Sequence, residues 1–159
     1  MAVIFTLVCL PLASAIGCVV DYSRTTQLRA RLQAAADAAS VGSVARGAPA
    51  LIAASTMTSD GRVAVGADDA ADIFNGNMSG VTGYALDSMT ATVTKRGATV
   101  TSEVRFQAKV PTVFLRVIGK RAITVTGRST ATANLPRYID VYFPPRQFAA
   151  NARGNDGHG

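Results

Sequence analysis

An uncharged stretch near the amino terminus constrains this chain more than any other feature. No Asp, Glu, Lys or Arg occurs between Ala2 and Val20. A helix of that stretch, rising ~1.5 Å per residue, would be roughly 28 Å long, close to the thickness of a bilayer's hydrocarbon core. Pro11 is compatible with such a helix, because membrane-spanning helices tolerate proline. The stretch therefore predicts a transmembrane anchor over residues 2–20, with membrane lipid as a partner.

Two other interpretations of this segment stay open at the level of sequence. Ala13-Ser14-Ala15 has the small-x-small form of a signal-peptidase site, so the segment could be a signal removed after Ala15. Cys18 could instead be the lipidated residue of a lipoprotein. The apolar run continues for five residues beyond Ala15, which favours a retained anchor.

A second helical segment is predicted immediately after the anchor, as a juxtamembrane helix over residues 21–47. Leu28, Leu32, Ala35 and Ala39 recur at spacings of four, three and four, which places them in one apolar stripe. The stripe could pack on the chain's own domain or form a seam with other anchored subunits, and the pattern favours neither. Asp21 marks the membrane boundary, and Arg24 at i+3 is its expected ion-pair partner.

The remainder is expected to form a small α+β domain over residues 48–143. Alternating, Thr- and Val-rich runs flank Arg96-Gly97 and predict a hairpin. The apolar run 113–119 predicts a short helical or looped crossover, residues 122–134 a further strand and residues 137–143 another strand-like run. The predicted fold class is thus α+β, a long N-terminal membrane-anchored helix packed on a small antiparallel sheet, followed by a disordered tail over residues 144–159.

The distribution of charge suggests an anionic partner for the carboxyl-terminal half. The net charge is +6, and the stretch from Lys95 to Arg153 contains eleven basic residues but only two acidic ones, Glu103 and Asp140. No aromatic-basic interleaving or recognition motif accompanies this bias, so no specific nucleic acid is expected as a partner. A basic surface that faces an anionic envelope polymer or lipid headgroups is the simpler interpretation.

No residue pattern typical of catalysis, cofactor binding or metal binding is apparent. The single histidine, His158, lies in the predicted tail. Cys9 and Cys18 would lie on opposite faces of the first helix, which excludes an intramolecular disulfide. The acidic group Asp68, Asp69 and Asp72 is more simply explained as the first turn of a short helix over residues 68–75 than as a cation site. We therefore expect no enzyme activity, no cofactor and no metal.

Two stretches of the sequence are similar to a known family. Residues 2–5, Pro11, the run GCVVDYSR over residues 17–24 and the run LQAAADAA over residues 32–39 resemble the amino-terminal region of TadE/TadG-like Flp (tight-adherence) pilus-assembly proteins. Val110 to Leu115, Gly119 and the Thr/Ala-rich strand that ends near Ala133 form the second similar stretch.

This resemblance implies a single-pass protein of the bacterial inner membrane, with its soluble part outside the cytoplasm. It would act structurally in pilus assembly and surface attachment, contacting other pilus-assembly proteins through the N-terminal helix as a homo- or hetero-oligomer. The D-x-S-x-S motif of the von Willebrand factor A part found in TadG-like members does not occur, so metal-dependent adhesion is not carried over. The alternative function is a secreted or lipidated envelope protein that binds an anionic polymer through a basic β-face.

Overall fold

The structure, a computed structural model, describes residues 2–135, with side chains from residue 16 onward except those of residues 117 and 118. The strand predicted over residues 137–143 and the tail predicted over residues 144–159 lie outside the described residues. So do the side chains of residues 2–15 of the predicted anchor. Counting only residues with described side chains, no helix is long and apolar enough to span a bilayer.

Three α-helices and a four-stranded antiparallel sheet make up the described chain. The helices are α1 (Ala2–Gly42), α2 (Pro49–Thr56) and α3 (Ala64–Met78), and a 3₁₀ helix covers Leu115–Ile118. The strands are β1 (Gly61–Arg62), β2 (Ala85–Arg96), β3 (Thr99–Pro111) and β4 (Ala122–Asn134), in the spatial order β1-β2-β3-β4. The predicted α+β class, with a long amino-terminal helix on a small antiparallel sheet, is confirmed.

The central hairpin forms where the alternating pattern places it. Arg96 pairs with Thr99 across the turn, and Gly97 has a left-handed φ of 57°, which glycine adopts without steric cost. Strand β4 then pairs with β3 along its whole length, from Pro111 opposite Ala122 to Thr99 opposite Asn134. One face of the sheet is therefore continuous, and Val104, Phe106 and Ala108 are buried on it.

Helix α1 lies across β3 and β4 on this buried face. Two serine pairs fix its position: Ser43 donates a hydrogen bond to Ser102 (2.8 Å), and the hydroxyls of Ser40 and Ser129 lie 2.8 Å apart. The core beside them consists largely of alanine and valine, with Phe74 of α3 packed against Phe106 at a ring-centroid distance of 6.1 Å. Small side chains supply little burial each, so close approach of the elements has to compensate.

Two sequence-based boundaries differ from the structure. The helix predicted to end near residue 47 ends at Gly42, because residues 43–47 form turns before Pro49 begins α2. Helix α3 begins at Ala64 rather than Asp68, so Asp68 and Asp69 lie beyond its first turn and do not complement the dipole there. Val63, the N-cap of α3, is held by the sheet through a hydrogen bond from its N–H to the Val93 carbonyl (2.8 Å). The helix begins directly after this residue.

Candidate functional site

The carboxylate of Asp21 joins the amino-terminal helix to the crossover between β3 and β4. One oxygen accepts the backbone N–H of Val113 (3.0 Å), and the other accepts those of Phe114 and Leu115 (both 2.8 Å). Asp21 is only 3 % exposed despite its charge. Three donors on one carboxylate stabilise the ionised form of a residue that has little exposure to water.

The crossover presents these N–H groups because they lie at the start of a 3₁₀ helix. Phe114 is the N-cap of that helix, and the donors at a helix start have no carbonyl partner of their own. No side chain within the loop caps them, so Asp21 acts as a cap supplied from a distant part of the chain. Two backbone hydrogen bonds join the two arms of the loop formed by residues 112–121. They run from Thr112 N–H to the Arg121 carbonyl (3.1 Å) and from Lys120 N–H to the Leu115 carbonyl (3.0 Å).

Gly17, one helical turn before Asp21, provides the second contact with the crossover. A Cβ built on Gly17 would lie 2.4 Å from Cδ1 of Phe114, so the ring occupies the space that any other residue's side chain would need. We refer to Gly17 and Asp21 of α1, together with residues 113–115, as the Asp21 clamp. Glycine here permits close packing, and the carboxylate supplies the polar contacts.

Burial and hydrogen bonding act in opposite directions on the pKa of Asp21. Burial raises it, but the backbone N–H groups of Leu115, Val113 and Phe114, with a smaller contribution from the charge of Arg24, lower the pKa below its ordinary value of 3.8. A carboxylate with a depressed pKa stabilises the fold at pH values above its unfolded pKa. That stabilisation is lost as the pH falls through the folded pKa.

We expect Asp21→Asn to lower the melting temperature at pH 7 by on the order of 5 °C, because the amide cannot accept all three hydrogen bonds and carries no charge. Circular dichroism of the full-length chain in detergent micelles measures this. Between about pH 5 and pH 3 the parent should lose more stability than the variant, whose residue 21 no longer titrates. Asp72→Asn, at an exposed position of α3, is the control. Equal acid sensitivity of the parent and Asp21→Asn would contradict the clamp.

The structure lacks the predicted ion pair between Asp21 and Arg24, but it contains the predicted apolar stripe. Arg24 is exposed and forms no ion pair with Asp21 among the described residues; its Nη2 lies 3.2 Å from a Cβ built on Gly83. The Asp21 oxygens instead accept three backbone N–H groups of the crossover. The four stripe residues are all buried in the chain's own core, against α3, β3 and β4: Leu28, Leu32, Ala35 and Ala39. Of the two interpretations that the sequence left open, intramolecular packing is the one observed.

The outer face of the sheet carries charged side chains that form ion pairs with one another. Glu103 pairs with both Arg105 and Arg128, the latter at 2.9 Å, and Asp87 pairs with Lys109 at 2.9 Å. Hydrogen bonds from Arg105 and Lys109 respectively hold the pKa values of Glu103 and Asp87 below their ordinary range. These three cations are thus partnered, which does not favour this face as a binding surface for an anionic polymer.

No metal-binding group of three or more His, Cys, Asp or Glu occurs among the residues with described side chains. Asp68 and Asp72 are exposed on α3, and Asp69 is half-buried. The residues that bind Asp21 could not be predicted from the sequence, because they bind it through backbone N–H groups, which every residue except proline has. One signal was available: residues 17–24 and 110–115 are the parts that carry the family resemblance, and the structure brings these two stretches together.

Comparison with known proteins gives a match over the part of the chain that contains Gly17 and Asp21, the residues of α1 in the Asp21 clamp. Residues 1–46 match the model of a family described as "Putative Flp pilus-assembly TadE/G-like". No curated protein and no solved structure shows significant similarity to the chain. The match includes the whole uncharged run and extends past the end of α1. The amino-terminal region of this chain, with Gly17 and Asp21, is therefore similar to that of TadE/G-like Flp pilus-assembly proteins.

Proposed function

We propose that this protein is a single-pass, membrane-anchored structural component of a Flp/Tad-type pilus-assembly system and catalyses no reaction of its own. The observation that carries the proposal is the family match over residues 1–46. It is supported by the uncharged run from Ala2 to Val20 and by a helix that continues without interruption from Ala2 to Gly42. In this proposal residues 2–20 cross the bacterial inner membrane and the sheet domain lies outside the cytoplasm.

The Asp21 clamp gives this arrangement a mechanical basis. An anchor that merely tethers a domain needs only a flexible linker, whereas here the helix leaving the anchor is built into the domain core. Leu28 and Leu32 are buried under the sheet, and Asp21 binds the crossover at the first charged position after the uncharged run. A displacement of the anchor would thus be transmitted to the sheet, as a scaffold component of an assembly machine requires.

Other pilus-assembly proteins are the proposed partners. The stripe from Leu28 to Ala39 is occupied by the chain's own core, so partners would contact the anchor residues or the exposed face of α1, where Val41 is 59 % exposed. Both homo- and hetero-oligomers are compatible with such contacts.

Deletion of the gene, with complementation, tests the proposal. We expect deletion to reduce piliation and surface attachment, and full-length protein carrying Asp72→Asn to restore both. Asp21→Asn should restore them only in part, because the anchor would remain while its attachment to the domain is weakened. Pili counted by electron microscopy and protein retained in membranes after an alkaline wash are the two measurements.

Two results would count against the proposal. Unchanged piliation in the deletion strain would exclude a role in pilus assembly. A mature amino terminus at Ile16, or a lipid on Cys18, found by mass spectrometry would instead favour the secreted or lipidated form of the protein.

A further inference from the structure

The crossover loop of residues 112–121 exposes apolar side chains beside the last turn of the uncharged run. Val113 is 57 % exposed and Phe114 46 % exposed, although their backbone N–H groups are buried against Asp21. On the adjacent helix, Ile16 and Val19 are 66 % and 65 % exposed. Ile16 and Val19 lie on other sides of α1 than Gly17 and Asp21, but at the same level along its axis. We refer to these four exposed side chains as the apolar patch, and side chains of this kind indicate a surface that contacts something other than water.

Three cations occur in the crossover loop together with Val113 and Phe114. Arg116, Lys120 and Arg121 all lie in the same loop and are exposed, and none of them forms an ion pair with another described residue. They differ in this respect from the partnered cations on the outer sheet face. The nearby negative charge of Asp21 is buried beneath the loop, so the exposed surface is apolar and basic. An amphipathic surface rich in Lys and Arg is typical of segments that lie in the interface of an anionic membrane.

The position of the loop along α1 matches that interface. Phe114 packs on Gly17 and is bonded to Asp21, and Val20 is the last residue of the uncharged run. Gly17 and Asp21 are separated by roughly 6 Å along the helix axis. If residues 2–20 span the bilayer, the clamp holds the loop at the level where the helix leaves the hydrocarbon.

We infer that the crossover loop is a second membrane contact, which docks in the interface of anionic phospholipid. Val113 and Phe114 insert among the upper acyl chains, while Arg116, Lys120 and Arg121 bind headgroup phosphates. This inference rests on the proposed function, since it requires the anchor to be in the membrane. Lipid fits better than a protein partner, because the apolar patch lies at the level of the last residues of an uncharged run of nineteen.

Tryptophan fluorescence provides the test, because the chain contains no tryptophan. Val113→Trp, with Phe114→Trp as a second probe, is introduced into the full-length protein reconstituted in vesicles with brominated acyl chains. We expect quenching of the probe in phosphatidylglycerol vesicles, at a depth of ~5–10 Å below the headgroup boundary. Val41→Trp, roughly 30 Å further along α1, is the control and should keep its fluorescence.

The cations are tested in the same vesicles. Each basic residue close to an anionic surface contributes about fivefold to partitioning, so replacing Arg116, Lys120 and Arg121 by glutamine should weaken loop docking by on the order of 100-fold. Quenching of the Val113→Trp probe in phosphatidylglycerol should then fall to its level in phosphatidylcholine. The matched control replaces three exposed cations remote from the loop: Arg46, Arg62 and Arg96.

The outcomes separate this inference from the function on which it rests. If neither the Val113→Trp nor the Phe114→Trp probe is quenched in protein that resists an alkaline wash, loop docking would be overturned, while the proposed membrane anchor would still agree with the data. Release of the protein by the wash would overturn both. Protection of the Val113→Trp probe from aqueous iodide without quenching by brominated lipid would show that another copy of the protein covers the loop, and would overturn the assignment to lipid.

Discussion

Replacement of Leu32 by alanine is expected to lower the free energy of unfolding by about 2–5 kcal/mol. Leu32 is fully buried between α1, α3 and the sheet, and the surrounding side chains are mainly alanines and valines that cannot move to fill the space. The deleted methyl and methylene groups would therefore leave most of their volume as a cavity. Urea unfolding of the full-length chain in detergent micelles, followed by circular dichroism, measures the loss.

Val41→Ala is the matched control for this change, because Val41 is on the same helix and 59 % exposed. Its substitution should change stability by no more than about 0.5 kcal/mol. The comparison also tests which role the stripe plays. If Leu32→Ala left the unfolding free energy unchanged but abolished association between copies, the stripe would be an intersubunit seam and the packing described above would be wrong.

Gly66→Ala should destabilise the fold by about 1–3 kcal/mol, because the added methyl group has no room. A Cβ built on Gly66 would lie 2.5 Å from Cβ of Ala50 and 3.1 Å from Cβ of Val93. These atoms are attached directly to the backbones of α2 and β2, so avoiding the clash requires the elements themselves to separate. The same unfolding measurement applies.

Gly76→Ala, in the last turn of the same helix, should have the opposite sign. Nothing lies within 4 Å of a Cβ built on Gly76, so alanine there should stabilise the protein by about 0.4–1 kcal/mol through the lower entropy of its unfolded chain. A neutral or stabilising Gly66→Ala would show that α2, α3 and β2 are further apart than the structure places them.

The elements that sequence predicted well are those with local signals. Strand β4 occupies the predicted residues 122–134, and the turn at Arg96-Gly97 joins β2 to β3 as the alternating pattern indicates. The crossover forms a 3₁₀ helix that ends at Gly119, whose φ of 83° is left-handed. In each case neighbouring residues specify the conformation, so the pattern could be recognised without knowledge of the fold.

The features that sequence missed depend on partners distant in the chain. Gly61-Arg62 has no strand pattern of its own, but it forms strand β1 because Thr94 and Lys95 are available at the edge of β2. The hydrogen bonds of Asp21 cross 92 to 94 residues, and their donors are backbone groups. The pattern of side chains predicts Asp21 as a boundary residue but could not identify what it binds.

The attachment of α1 at Gly17, Asp21, Ser40 and Ser43 fixes the rotation of the helix about its own axis relative to the sheet. If residues 2–20 form the membrane anchor that we propose, a neighbour that contacted one side of the helix there would also determine the direction in which the outer sheet face points. In an assembly of such subunits, lateral contacts among anchors would be enough to orient every ectodomain, with no direct contact between the ectodomains themselves.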